Sequence, residues 1–359
     1  MLRSPARPGS PLLVAVILAG LAVVAQALLV PLFAAPAANL APRDLPVVVA
    51  GPAPATAEFA ARLTAVQPGA FEITSVADPA AADRALRDRQ AYAAFVLGPD
   101  GPTLHTAPAA SPTVAALLTQ AAAGLTGGQP LPVVEVVPAD PGDPRGAGFA
   151  SGFLPLAMTG LLAGALLALF VPRRWARLAG LLTFGVLAGA VGATVLSWLG
   201  VLPGGFLANA GAIGLFCLAT AATVSGLASV LGRAGIGLGA LLVFLVGNAI
   251  SAIGSAPELL AQPWGTLGQW LPVGAGGNLL RSTAFFDGAG VTQPMLILAG
   301  YAVIGSILVV AGRATPAAPA GAVAPVTAVA PVTAPASDTA AVAPAAATRM
   351  GRRSRSESG

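Results

Sequence analysis

The chain of 359 residues is 56% hydrophobic and only 9% charged, with a mean hydropathy of +0.81. Because soluble domains carry about 25% charged residues, this composition predicts a membrane protein. All 18 basic residues are Arg, and the absence of Lys excludes a phosphate-binding Walker loop. The net charge of +4 does not indicate a nucleic-acid partner, because the Arg residues stand at the ends of apolar runs, as the positive-inside rule expects.

Two single residues limit the chemistry of the chain. Cys217 is the only cysteine, so no intrachain disulfide is expected. Because it lies in an apolar run, we expect its thiol to be buried and inert. His105 is the only histidine and has no metal-ligand pattern around it, so we interpret it as a strand residue. No nucleophile, base and orienting group stand in a recognisable motif, and we therefore expect neither an enzyme nor a cofactor.

The first apolar run, residues 11–34, follows a short stretch, residues 1–10, that carries Arg3 and Arg7. It is long enough to cross the hydrocarbon core of a bilayer. Two interpretations are open, an uncleaved anchor and a signal peptide cleaved near LFAAPAANLA. The apolar part of a signal peptide has about 7–15 residues, and the greater length of this run favours the anchor. Either interpretation exports the residues that follow.

Residues 35–148 are charged, punctuated by Pro, and alternate between short strand-like and helical patterns. Strands that alternate with helices predict a small α/β domain, and its net acidic charge distinguishes it from the membrane-flanking loops. The expected strands are 45–51, 71–77, 91–98, 102–107 and 133–139, and the expected helices are 56–66, 80–90 and 111–125.

Five further apolar runs predict a five-helix transmembrane domain over residues 149–313. The turn RRWAR is rich in Arg, whereas the connection VLPGG has none. The positive-inside rule therefore places RRWAR and both termini in the cytoplasm and the α/β domain outside, in a multi-pass protein of the cell membrane with six spans. The five later spans are expected at 149–172, 178–200, 206–231, 236–256 and 292–312.

The spans are rich in Gly and poor in charge. No span carries Asp, Glu, Lys or His in its middle, which argues against an ion-coupled carrier. Glycines in G-x-x-x-G spacing predict close helix packing or dimerisation, although so Gly-rich a chain also produces this spacing by chance. The pairs are Gly160 and Gly164, Gly185 and Gly189, and Gly235 and Gly239.

Residues 257–290 form an unusual stretch between the last two spans. They are too apolar for an ordinary loop and too rich in Pro and Gly for a span, and they contain Trp264 and Trp270. Irregular backbone at membrane depth needs protein or a cavity around it, and Trp favours the interface. We predict a re-entrant or interfacial segment on the outer side. The remaining residues, 314–359, begin with Ala, Pro, Val and Thr repeats and predict a disordered cytoplasmic tail.

This organisation, six helical spans with a small α/β domain between the first two, resembles the permease subunits of ABC-2 type transporters. It also resembles membrane proteins related to phage-infection receptors. The resemblance covers roughly residues 10–312. The stretches that carry it are LPVVVAGPAPATAEFAARL, VADPAAADRALRDRQAYAAFVLGPDGPTLHTAPAASPTVAALL and SAPELLAQPWGTLGQWLPVGAGGNLLRSTAFFDG.

The resemblance implies a homodimeric exporter that works with a separate ATP-binding subunit and moves an amphipathic or lipid-like substrate outward. It implies an outer gate in the 257–290 segment, with Glu258, Arg281 and Asp287 at its rim. The gate candidates are Trp264, Trp270, Pro272 and Asn278. The candidates for contact with the ATPase are Arg173, Arg174, Trp175 and Arg177, with Arg233 as a minor second contact.

Two alternatives stay open beside this interpretation. The Trp pair and the RRWAR turn also fit simple anchoring of helices at the two interfaces. The whole chain also fits a non-transporting envelope protein, in which the outer domain binds a partner and the spans serve only as an anchor.

Overall fold

The computed structural model describes residues 11–125 and 130–312, which are mostly helical. Within these ranges, six helices are long and apolar enough to cross a membrane. The prediction of a multi-pass helical membrane protein with a small sheet is therefore confirmed. The N-terminal stretch with Arg3 and Arg7 and the predicted disordered tail lie outside the described residues.

The α/β domain has the predicted order of strands and helices, but its last strand was predicted over 133–139 and ends at Glu135. Asp78 caps the third helix, because its Oδ1 accepts a hydrogen bond from the Ala81 N–H at 2.7 Å. Ser111 caps the fourth in the same way, with Oγ 3.2 Å from the Val114 nitrogen. The elements are β1 (Leu45–Ala50), α2 (Ala53–Val66), β2 (Phe71–Val76), α3 (Pro79–Arg87), β3 (Ala93–Gly98), β4 (Gly101–Thr106), α4 (Pro112–Leu125) and β5 (Val133–Glu135), after the first span α1 (Pro11–Ala38).

The five strands form one mixed sheet in the order β2-β1-β3-β4-β5. β1 lies parallel to both β2 and β3, with Val47 opposite Ile73 and Ala93. β3 and β4 form the predicted hairpin, and β5 runs parallel to β4. Side chains of β1 alternate between the two faces of the sheet, which is why both faces carry a helical layer.

The bundle completes the hydrophobic core on both faces of this sheet. Leu86 of α3 packs in a buried cluster that includes Phe286. On the opposite face, Leu63 of α2 and Leu118 of α4 pack in a cluster that includes Leu259. Residues from the 257–290 segment thus belong to both hydrophobic cores of the α/β domain. The domain therefore packs directly against the bundle.

The remaining spans agree with the predicted runs, with one shortened end. The fifth run was expected to reach residue 256, but its helix ends at Ile250, where Ala252 adopts a φ of +53° and Gly254 and Pro257 follow. The spans are α5 (Ala147–Phe170), α6 (Arg174–Trp198), α7 (Phe206–Leu231), a composite helix of α8 (Arg233–Gly239), a π-helical stretch Ala240–Val246 and α9 (Gly247–Ile250), and α12 (Thr292–Ala311).

Helix α7 lies at the centre of the bundle and is the most buried of the spans. A Cβ at Gly164 of α5 would lie 2.5 Å from the Ala221 carbonyl oxygen, and one at Gly189 of α6 would lie 2.3 Å from the Ala210 carbonyl oxygen. Such close backbone approach is what small residues allow in lipid. The predicted packing role is confirmed within the chain, and all three predicted glycine pairs face α7.

The 257–290 segment, which was predicted to be re-entrant or interfacial, folds into two short helices. They are α10 (Trp264–Gln269) and α11 (Pro272–Phe285), and a 3₁₀ turn, Pro257–Leu259, precedes them. Helix α11 is buried along most of its length against α7, α12 and α5. It lies at the end of the bundle that carries the α/β domain, and its position determines the candidate site.

Candidate functional site

Arg89 occupies a backbone position that usually belongs to Gly. It follows the last turn of α3 with a φ of +59°, and the Arg89 and Gln90 N–H groups bond the Leu86 and Ala85 carbonyls at 3.2 and 2.8 Å. This is a Schellman ending, in which a left-handed residue with a Cβ costs about 1–2 kcal/mol. Gly would avoid this cost, so the side chain of Arg89 must make contacts that offset it.

The Arg89 guanidinium reaches across to α11. Its Nη1 donates to the Asn278 carbonyl oxygen at 3.1 Å and also to Ser282 Oγ, and its Nη2 donates to Asn278 Oδ1 at 2.8 Å. The guanidinium carbon stands 5.3 Å from the centre of the Phe286 ring. A cation between two protein surfaces requires such partners, because burying it unpaired is unfavourable.

Tyr92 and Glu258 form a second link between the same surfaces. The Tyr92 hydroxyl donates to Glu258 Oε2 at 2.9 Å. Burial, and then the neighbouring Glu258 carboxylate, raise the pKa of Tyr92 well above its ordinary value, so the hydroxyl remains a neutral donor. Burial lowers the pKa of Arg89, against the opposite effect of Tyr92 and Glu258. We call the contacts of Arg89 and Tyr92 with the 257–290 segment the junction.

A hydrogen-bonded chain continues from the junction into the bundle. Asn278 Nδ2 donates to Gln269 Oε1 at 2.6 Å, and Gln269 Nε2 donates to the Ser251 carbonyl oxygen at 3.0 Å. Arg89 is thereby connected through α11 and α10 to the end of the fifth span. A displacement of any one of these side chains would leave polar groups of the next without partners.

A cavity of about 400 Å³ opens beside the junction, between the α/β domain and helices α10 to α12. This volume lies within the range of small-molecule sites. Its wall offers both hydrogen-bond donors and acceptors, with one cation, two carboxylates and an indole. These groups belong to Asp88, Arg89, Tyr92, Glu258, Gln269, Trp270, Asn278 and Gln293. We call it the junction cavity.

The structure brings only part of the predicted gate together. Trp270 and Asn278 line the junction cavity, and Pro272 is buried at the first turn of α11. Trp264 does not line this cavity; it lies on the side of the bundle that faces α1. Both Trp side chains are about half exposed, at 52% and 55%, as an interfacial anchor would also be.

The three predicted rim residues have different positions. Glu258 belongs to the junction, and Asp287 is exposed in the turn after α11. Arg281 does not lie at a rim, because it is only 8% exposed. Its Nη2 donates to the Ile253 carbonyl oxygen at 2.9 Å, and its guanidinium carbon lies 4.8 Å from the centre of the Phe149 ring. It stabilises the packing of α11 on α5.

The four candidates for ATPase contact lie at the far end of the bundle, where α5 ends and α6 begins. Arg173, Arg174 and Trp175 are exposed there. Arg177 is 2% exposed, and its guanidinium donates to Ser229 Oγ at 2.7 Å and to backbone carbonyls at the end of α5. Arg177 therefore joins α5, α6 and α7 and is withdrawn from the surface that a partner would touch.

Sequence reasoning missed the two domain residues of the junction, Arg89 and Tyr92. Arg89 stands in a charged helix end, ADRALRDRQ, whose five Arg and Asp side chains are typical of a solvated face. The sequence signal was the absence of Gly or Asn at the end of this predicted helix, since the left-handed position after a helix is usually Gly or Asn. His105 likewise has a partner that the sequence did not indicate, because its Nδ1 is hydrogen-bonded to Asp83 Oδ1 at 2.6 Å.

Comparison of the chain with protein-family models, with curated proteins and with solved structures gives no match. The candidate site therefore rests on its own geometry.

We predict that Arg89→Gly loosens the junction although it relieves the backbone. The substitution gains about 1 kcal/mol at a left-handed position, but leaving the junction acceptors without their donor loses about 1–3 kcal/mol. Amide hydrogen exchange of the full chain in detergent should become faster in the 257–290 segment. Asp44→Gly is the matched control, because Asp44 is exposed and has a φ of +50°. If the two variants exchange alike, Arg89 is only a helix ending.

Proposed function

We propose that this chain is the permease subunit of an ABC-2 type exporter, which moves an amphipathic or lipid-like substrate outward with a separate ATPase. The observation that carries the proposal is the junction cavity. A ligand-sized, partly polar space lies at the end of the bundle, between a folded domain and the segment that contains the predicted gate. Trp270 offers it an apolar face, and Asn278, Gln269 and Arg89 offer it hydrogen-bonding groups.

The packing suggests how such a gate would move. Helix α11 and the Pro257–Leu259 turn each share a hydrogen bond with the α/β domain, and Phe286 and Leu259 at their ends belong to its two hydrophobic clusters. A shift of α11 against α7 would therefore carry the domain with it and change the width of the junction cavity. The domain would therefore move together with the gate and would not act as an independent receptor.

The energy for transport would come from a partner. The spans contain no Asp, Glu, Lys or His that could carry a coupling ion, and the chain has no Lys for a Walker loop. The surface offered to an ATPase is small and basic, and its exposed members are Arg173, Arg174 and Trp175. This surface lies at the opposite end of α5 and α6 from the α/β domain, so the coupling would pass along the spans.

A second candidate function is a non-transporting envelope protein with a partner-binding outer domain. The close backbone contacts of α7 with α5 and α6 favour it, because they leave no room for a passage at these contacts within one copy of the described bundle. In the exporter, the passage would instead have to lie between two copies of the chain.

We expect an ATP-binding protein to be retained when the full-length chain is purified from its native membrane in mild detergent. Photolabelling with 8-azido-ATP reports such a partner cleanly, since the chain itself has no Walker Lys. The triple substitution R173A/R174A/W175A should abolish the labelled band. The matched control is R84A/R87A/W198A, which removes two exposed Arg of α3 and the Trp at the other end of α6. Absence of labelling in the unaltered chain would favour the envelope protein.

The orientation is tested separately with single cysteines in a Cys217→Ser background. Asp100 lies in the β3–β4 turn and Trp175 in the first turn of α6, at the opposite end of the bundle, and both are exposed. A membrane-impermeant maleimide applied to intact cells should label D100C, whereas W175C should react only after permeabilisation. The reverse pattern would place the α/β domain in the cytoplasm and contradict an outer gate.

A further inference from the structure

A second concave surface lies on the side of the bundle, away from the junction cavity. The last turns of α1 stand apart from α9 and the start of α10, and the groove between them has a volume of about 560 Å³. Its wall is apolar over most of its length. The wall side chains that matter below are Leu28, Leu32 and Ala35 of α1, with Ile250, Leu260 and Trp264 opposite. We call it the lateral groove.

The lateral groove ends at a cation. Arg43 lines its end together with Asn39, and Arg43 is the only charged residue of the wall. Its Nη1 donates to the Leu259 and Ala41 carbonyl oxygens at 2.7 and 3.0 Å, and its Nη2 donates to the Asn39 carbonyl oxygen at 3.3 Å. A guanidinium has five N–H donors. These bonds position Arg43 and still leave the Nε–H and one Nη2–H for a ligand.

The depth of the groove in the bilayer follows from the length of α1. Its 28 residues span about 42 Å, which exceeds the hydrocarbon core of about 30 Å. The end of α1 therefore reaches the headgroup layer, with Leu28 and Leu32 below it in the acyl region. Trp264 also lines the groove and is about half exposed, so its ring is accessible from the bilayer.

We propose that the lateral groove is a binding site for an anionic phospholipid. One acyl chain would lie along the apolar wall, and the phosphate would accept hydrogen bonds from Arg43, a residue type whose planar fork matches phosphate oxygens. The indole of Trp264 would border the glycerol region, where Trp is favoured. This assigns Trp264 to lipid contact in place of the gate, and it requires only a membrane protein, whether or not the chain exports anything.

The site is tested on the full-length chain by native mass spectrometry with phosphatidylglycerol and phosphatidylcholine of identical acyl chains. The unaltered chain should retain phosphatidylglycerol in preference. Arg43→Gln keeps hydrogen-bond donors for the Leu259 carbonyl but removes the charge, and it should reduce this preference about tenfold. The matched control is Arg62→Gln, since Arg62 is an exposed Arg of α2 that pairs with Glu58.

A second pair of variants keeps the test decisive if Arg43→Gln fails to fold. Ala35→Trp fills the groove from an exposed position of α1, whereas Ala34→Trp adds the same bulk at an exposed position outside the groove. Only the first should displace the bound lipid. Equal retention of both lipids by the unaltered chain, or unchanged lipid binding in Arg43→Gln and Ala35→Trp, would overturn the proposal.

Discussion

The arrangement of this protein depends on a guanidinium enclosed between two surfaces. Arg89 leaves the α/β domain at a left-handed backbone position, and it is held by Asn278 and Ser282 of α11. Because an enclosed cation needs its full set of acceptors, α3 and α11 must keep one relative position. The apolar contacts of Phe286 and Leu259 on the two faces of the sheet impose the same position independently. The junction cavity is the space that remains beside these contacts.

The place of α11 depends in turn on the small residues of α7. Close backbone approach to α5 and α6 holds α7 at the centre of the bundle. At its domain end, buried Asn209 accepts a hydrogen bond from Thr283 Oγ1 at 3.0 Å and donates to the Pro203 carbonyl oxygen at 2.8 Å. A helix that associates through packing and a few internal hydrogen bonds suits the lipid environment, where apolar burial alone does not distinguish helix neighbours.

Much of this architecture could be predicted from the sequence. The spans were predictable because length and hydropathy alone determine whether a run can cross a bilayer, and the strands because Pro, Gly and alternation delimit them. The ends were less accurate, as at Ile250, where a local left-handed turn stops the helix before the apolar run ends.

The candidate site was predictable only on one side. The unusual composition of the 257–290 segment made it recognisable in the sequence. Its partners Arg89 and Tyr92, however, lie more than 160 residues away. No local pattern indicates which charged side chain in or just after α3 turns toward the bundle. Arg177 could not be assigned from the sequence either. An Arg at a helix end can be buried between helices or anchored at the membrane interface, and both roles use the same residue type. Trp264 and Trp270 looked equivalent in sequence, yet they border different cavities.

If Arg89 fixes the α/β domain to the bundle, the distance between the domain and the bundle should vary little. The most direct measurement is the electron-spin distance distribution between labels at Asp100 in the β3–β4 turn and Leu207 at the start of α7, both exposed, in a Cys217→Ser background. We expect one narrow distribution for the unaltered Arg89 and a broader, shifted one for Arg89→Gly. A broad distribution in the presence of Arg89, or an unchanged narrow one after its removal, would contradict this role of Arg89.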